Sequence, residues 1–277
     1  MLRIGCFGNL KDNEGAFADD FALTAYAAQL RFDFMDFHRG QSKQLEDRDY
    51  VTRLKYLVLK KGLYVSHIHV GGGFFGAGDK TAKKVESCKA GIDIASLLGA
   101  PVAAVYVGAP DESDPDPDAS WHRVGEHLRA LADYAATKAV SLGIHNHNEG
   151  TGRPRGKDIV RAIKLAGREN VTAVMDTGQW WPNSNTGAGD FTPNEHAYEY
   201  MEEVAPYASV LFAKIYRIDS GREELVDYER VFRILEAVKF NGGVSVAYKK
   251  TYTEIPYREG LPIALAHLRE TAAKVGL

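Results

Sequence analysis

The chain has 277 residues, of which 45% are hydrophobic and 26% charged, and its formal net charge is -3. These are the proportions of an ordinary globular fold, and the length is near the roughly 250 residues of one (β/α)8 barrel. They exclude the concentrated basic surface that neutralises a row of phosphates, so no nucleic-acid partner is expected.

In chain order, short apolar runs of β type alternate with longer stretches of helical period. Residues 1–7 already read as strand, with the first run at Ile4–Gly8. No leader-like segment and no run of about 18 apolar residues is present, so the expectation is a cytoplasmic protein without membrane contact. The second run is Phe32–Asp36, and the helix after it carries Val51, Leu54, Leu57 and Val58 on one face. Leu63–Val70 is the third. Glycines 71–73 follow it, either to cradle a phosphate with backbone amides or to permit a tight turn. Val85, Cys88, Ile92 and Ala95 make the next helix face, and Val102–Val107 is the fourth run. The acidic stretch 111–118 (DESDPDPD) lacks the bidentate Glu of a calcium loop and reads as a solvated connection.

Val124, Leu128, Leu131 and Ala135 mark a further helix, and Leu142–His147 and Val171–Asp176 are the fifth and sixth runs. The Gly-, Asn- and Trp-rich segment Trp180–Phe191 then suits a loop covering a ligand. Thr192-Pro193-Asn194-Glu195 reads as a capping box with proline at the first helical position, leading into Ala197, Tyr200, Met201 and Val204. After the seventh run, Val210–Tyr216, Asp227 is placed to cap a helix over Val231, Ile234, Leu235 and Val238. Val244–Tyr248 is the eighth run, and Leu265, Leu268, Ala272 and Val275 form the face of the last helix. Cys6 and Cys88 are the two cysteines; far apart and without metal-ligand spacing, they read as small buried residues.

Eight strand–helix cycles predict a parallel sheet covered by helices and closed into a (β/α)8 TIM barrel, one domain over residues 1–277. A doubly wound open sheet is the alternative, but no Gly-rich dinucleotide fingerprint follows the first run. Within a barrel strand, alternate side chains face inward, and those near the C-terminal end reach the active-site mouth. Apolar Ile68 and Val70 must face the helices, which turns His67 and His69 inward. By the same parity His145, His147 and Asp176 point inward, and Asp36 shares a face with His38. Five of the nine histidines thus fall at strand ends, and burial of so many polar groups is costly unless it serves a function.

The segments LGIHNHNEG (142–150), VTAVMDTGQW (171–180), SVLFAKIYRID (209–219), DYERVFRIL (227–235), GGVSVAYKK (242–250) and IASLLGA (94–100) resemble successive landmarks of the xylose isomerase-like family of sugar-phosphate isomerases and epimerases. The resemblance spans essentially the whole chain, through short motifs. It implies a divalent metal (Mn, Mg or Zn) held by Glu, Asp, His and Glu from the fifth to eighth strands, with both Glu residues moving protons through an enediolate. Carried over by position, these become His145, Asp176, Phe212 and Ala247, and the family's frequent His after the Asp becomes Gln179. Asp176 alone matches; His145 is a chemically plausible metal-binding replacement, and the paired-Glu arrangement is gone. His147, Glu149 or a third-strand histidine would have to complete a metal set.

Lys214, from the family's His-x-Lys, and Lys249 both fall on inward parity, so an ammonium is placed to occupy the cation's space and attract an anionic or carbonyl group. The expected catalytic residues are His145, His147 and Lys214. Asp36, His38, His67, His69, Trp180, Tyr216 and Lys249 are the expected substrate contacts, with Trp180, Trp181, Tyr216 and Phe212 able either to wall a sugar or to pack loop against barrel. The expected ligand is a small carbohydrate or carbohydrate-derived acid, processed by proton transfer next to a carbonyl. A barrel that binds such a ligand without turnover is the alternative; an abasic-site nuclease, needing about three zinc ions, does not suit this residue set. A homo-oligomer is compatible with the chain.

Overall fold

The computed structural model describes residues 2–8, 15–76, 78–110, 113–147, 153–182 and 189–277. Strands β1 (Arg3–Gly8), β2 (Phe34–His38), β3 (Tyr64–Gly72), β4 (Val102–Tyr106), β5 (Ser141–His145), β6 (Val171–Asp176), β7 (Ala208–Ile215) and β8 (Gly243–Tyr248) are all parallel and close in sequence order. Closure comes through β1 against β8, with Ile4 opposite Val244. Helices α1 (Asp20–Gln29), α2 (Arg48–Lys60), α3 (Asp79–Leu98), α4 (Pro117–Ala136), α5 (Gly156–Ala166), α6 (Ala197–Val204), α7 (Tyr228–Ala237) and α8 (Tyr257–Val275) surround it. Among the described residues, no helix is long and apolar enough to cross a membrane.

Period-two alternation divides the core into two layers. Outward residues such as Ile68, Ile144, Met175 and Val246 join the helix faces, including Val51, Leu54, Ile92, Leu128 and Leu268, in one large apolar cluster. Inward residues Phe7, Val102, Ala104, Val174, Val210, Phe212 and Ala247 fill the barrel. The N-terminal end is plugged by Phe34, and glycine is required beside it, because a Cβ on Gly5 or Gly243 would lie 2.0 or 2.7 Å from that ring. Both cysteines are buried and neither forms a disulfide.

Several boundaries differ from the sequence reading. Strand β2 begins two residues late because Asp33 is engaged elsewhere, its Oδ2 accepting from Ile4 N at 2.7 Å. No helix starts at Thr192-Pro193. Asn194 is committed to the preceding loop, its Nδ2 donating to Trp180 O (2.8 Å) and its Oδ1 accepting from His196 N (3.1 Å), so α6 begins only at Ala197. The Asp227 cap is present, its side chain accepting from Arg230 N at 3.0 Å, but α7 stops at Ala237 and leaves Val238 36% exposed.

Glycines 71 and 72 lie within β3 rather than in a tight turn, and their freedom serves an irregularity in the strand. Strand register shifts between His69 and Gly71, and Gly72 adopts φ +156, where a Cβ would lie 2.1 Å from Tyr106 O. Gly73 N donates to Tyr106 O at 2.9 Å, so this amide is spent joining β3 to β4.

Candidate active site

The strand ends bring two groups of polar side chains to the barrel mouth. The first lies on β5, β6 and β7. Asp176, the last residue of β6, is fully buried. Its position is fixed by Asn146, the residue after β5, which accepts from Asp176 N (2.7 Å) and donates to Asp176 O (2.9 Å). The carboxylate accepts from Gly178 N at 2.7 Å through Oδ1, and from His145 Nε2 (3.1 Å) and Gln179 Nε2 (3.3 Å) through Oδ2. Lys214 Nζ lies 3.5 Å from the same Oδ2 and 4.9 Å from the centroid of Phe212. Burial opposes ionisation of Asp176, but the Lys214 ammonium and the His145 and Gly178 hydrogen bonds outweigh it and hold the carboxyl below the usual carboxylate range.

The backbone of Lys214 is pinned as well. Its N–H donates to Thr177 Oγ1 at 3.1 Å, and its carbonyl accepts from the Tyr228 hydroxyl at 2.6 Å. Gly178 leaves room for the side chain, since a Cβ there would lie 2.4 Å from Lys214 Cγ and 2.1 Å from Tyr216 Oη.

His145 is 2% exposed, and burial lowers its affinity for a second proton despite the opposing pull of Asp176. A neutral imidazole facing an ionised carboxylate carries its proton on Nε2. Nδ1 is then a bare lone pair, and it has no hydrogen-bond partner among the described residues. Asp176 therefore sets the tautomer of His145 and leaves a base pointing away from it.

The second group lies on β2 and β3. Asp36, His67 and His69 are no more than 1% exposed. His67 Nε2 faces His69 Nε2 at 3.1 Å and Asp36 Oδ1 at 3.7 Å, while His67 Nδ1 contacts Ser66 Oγ at 2.8 Å. Ser245 Oγ, from β8, donates to Asp36 Oδ2 at 2.5 Å. Asp36 Oδ1 and His69 Nδ1 have no hydrogen-bond partner among the described residues. Burial pushes the Asp36 carboxyl well above its ordinary range. Burial, with the nearby His145 and His38 as lesser causes, brings His67 down to about 3, and His69 is lowered likewise.

Rings fill the space between the groups. Phe212 packs against His67, His69 and His145 with centroids 6.1, 5.2 and 5.8 Å away, so its ring is the floor on which the histidines stand. His38 stacks on His69 at 5.3 Å. His38 Nδ1 accepts from Gly40 N at 3.0 Å, so its Nε2 carries the proton donated to the Tyr106 hydroxyl in a short hydrogen bond. His147 is half-buried and lies 4.8 Å from the Tyr106 ring.

The structure thus brings Asp36, His38, His67, His69, His145, His147, Asp176 and Lys214 to one mouth. It does not bring Trp180 or Tyr216 to the histidines: Trp180 Nε1 donates to Pro154 O at 2.9 Å and its ring meets Tyr200, while Tyr216 packs on Phe191 and Tyr252. Lys249 follows β8, half-buried, with its backbone N–H donating to Ile215 O at 2.8 Å. Glu149 lies outside the described residues, as do residues 183–188 of the proposed covering loop.

Tyr106, Ser245 and Asn146 were not singled out from sequence. Tyr106 shares inward parity with Val102 and Ala104, and Ser245 with Ala247, so the signal existed for both. Asn146 carried no such signal.

The ligand set implied by family resemblance does not fit a metal here. Phe212 and Ala247 belong to the apolar interior, and the Lys214 ammonium already neutralises Asp176. His145 and Asp176 alone are too few for a tight site.

The family profile described as xylose isomerase-like TIM barrel matches residues 24–271. Solved structures with the same fold include an L-ribulose 3-epimerase, with 16% identity and TM-score 0.73 over 99% of this chain and 96% of that one. They also include a 3-keto-D-glucoside 4-epimerase from E. coli, with 16% identity and TM-score 0.72 over 98% and 100%. A xylose isomerase-like protein from Mycobacterium smegmatis, solved in complex with magnesium, has 16% identity and TM-score 0.66 over 99% and 97%. No curated protein matches the chain by sequence.

Proposed function

The chain belongs to the xylose isomerase-like TIM barrel family, and on that premise we propose that it is a sugar isomerase- or epimerase-like enzyme. It would move a proton on a carbon next to the carbonyl of a small carbohydrate or carbohydrate-derived acid. The observation that carries this reading is the buried His145–Asp176–Lys214 group, in which an imidazole lone pair and an ammonium meet at one carboxylate.

Each residue has a part in such a reaction. His145 Nδ1 takes the proton from carbon, and the C–H electron pair moves into the chain of carbons to give an enediolate. The negative charge then resides on the former carbonyl oxygen, where the Lys214 ammonium opposes it in a water-poor setting. Asp176 holds His145 in the required tautomer and stabilises the imidazolium formed. Delivery of a proton to the opposite face of the same carbon, from a donor other than His145, inverts it; return of the proton from His145 to the former carbonyl carbon, with the neighbouring hydroxyl proton passing to the former carbonyl oxygen, isomerises the sugar. His38, hydrogen-bonded to Tyr106, and His147 provide polar contacts for substrate hydroxyls.

Loss of side-chain ligands at Phe212 and Ala247 favours a second reading, a barrel that binds a carbohydrate without converting it. Ketoses, their phosphates and keto acids screened by thermal shift, with each binder then followed by proton NMR, separate the two. Conversion of one binder, reduced at least about 100-fold in His145→Gln while binding persists, is expected for the enzyme. Conversion at an undiminished rate in that variant removes His145 from the mechanism, and binders that are never converted establish the second reading.

A further inference from the structure

We infer that Asp36, His67 and His69 form a divalent-metal site on the β2–β3 side of the mouth, displaced from the β5–β8 positions of the family's ligands. The inference is independent of the proposed reaction, because it rests on ligand geometry and is read by binding.

The three residues offer ligand atoms that all lie within 4.8 Å of one another. A tetrahedral ion with bonds near 2.0–2.1 Å places neighbouring ligand atoms about 3.4 Å apart. Two of the three separations, 3.1 Å between the His67 and His69 Nε2 atoms and 3.7 Å from His67 Nε2 to Asp36 Oδ1, lie on either side of that value. Asp36 Oδ1 is buried and lacks any hydrogen-bond partner among the described residues, which is costly unless something outside the chain supplies one. Two facing Nε2 atoms can share only one proton, whereas a cation accepts both lone pairs.

The surroundings hold these atoms as outer-shell partners do. Ser66 Oγ fixes the far nitrogen of His67, and Ser245 Oγ fixes the far oxygen of Asp36. Three protein ligands leave an open coordination position, the arrangement of a catalytic rather than a structural ion. Two nitrogens and one oxygen suit zinc, cobalt or iron better than magnesium or calcium, which prefer oxygen alone.

The test uses the full chain, stripped with a chelator and titrated with Zn2+ by calorimetry and with Co2+ by visible absorption. One equivalent of Zn2+ is expected, with Co2+ giving the ligand-field bands of a low-coordinate nitrogen-bound ion. His69→Ala should weaken binding by at least the roughly 10–100-fold that outer-shell partners contribute. Asp36→Asn, which keeps the side chain's shape, should weaken it as well and carries the test if the alanine variant does not fold. Asp176→Asn should leave stoichiometry and affinity unchanged. Absence of stoichiometric binding, undiminished binding in Asp36→Asn, or loss of binding in Asp176→Asn would each overturn the inference.

Discussion

On the β5–β7 side of the mouth, the buried Asp176 carboxylate meets an imidazole, an amide side chain, a backbone N–H and the Lys214 ammonium. On the β2–β3 side, the equally buried Asp36 meets Ser245 through Oδ2 and leaves Oδ1 without a hydrogen-bond partner. One carboxyl is held below its ordinary range and the other is pushed well above it. Burial acts on both; the difference is an internal cation. A site that carries its own positive charge has a fixed ionisation state and can orient a neighbouring base. A site without one has its carboxyl pushed by burial toward the neutral form.

Removing the ammonium is the largest way to break this contrast. Lys214→Met would leave Asp176 buried and unpaired, at a cost of about 3–5 kcal/mol. Urea denaturation at pH 7 would read that loss, and a variant as stable as the parent would show that Asp176 does not depend on Lys214. A smaller perturbation acts on position alone. In Gly178→Ala, the new Cβ falls 2.4 Å from Lys214 Cγ, so the ammonium must move. Overpacking of this kind costs about 1–3 kcal/mol, and thermal unfolding should detect it.

The subtlest test concerns pH. Because the Asp176 carboxyl is depressed in the folded protein, its contribution to stability is present above the ordinary carboxylate pKa and is lost as pH falls through the folded value. Stability of the parent should therefore decline with acid below roughly pH 4. Asp176→Asn should show a shallower decline there; an unchanged slope would place the acid sensitivity in other groups.

The strands were legible because period two and period 3.6 leave different apolar patterns, and the same parity aimed Asp36, His67, His69, His145, Asp176 and Lys214 inward. The grouping of Asp36 with both third-strand histidines was not legible. It depends on how β2 lies beside β3, where the register shifts between Met35 and Phe37, and a single sequence carries no record of that offset. Parity also gives no direction beyond a strand's end: the Trp180 ring meets Tyr200 of α6, and the Tyr216 ring meets Phe191 and Tyr252 while its hydroxyl lies on the Gly178 side of the mouth. Thr192–Glu195 had the letters of a capping box, but Asn194 had a stronger use in holding Trp180 O. Tyr106 and Ser245 have inward parity, but the apolar residues around them in β4 and β8 mask the signal.

The most direct test of the account is exchange of carbon-bound protons with solvent. A ketose that binds the protein is incubated in D2O and examined by NMR at the carbons flanking its carbonyl. Deuterium entering one of those positions with the parent, and not with His145→Gln, is the predicted result. A bound ketose whose protons never exchange, or which exchanges equally with both proteins, would contradict it.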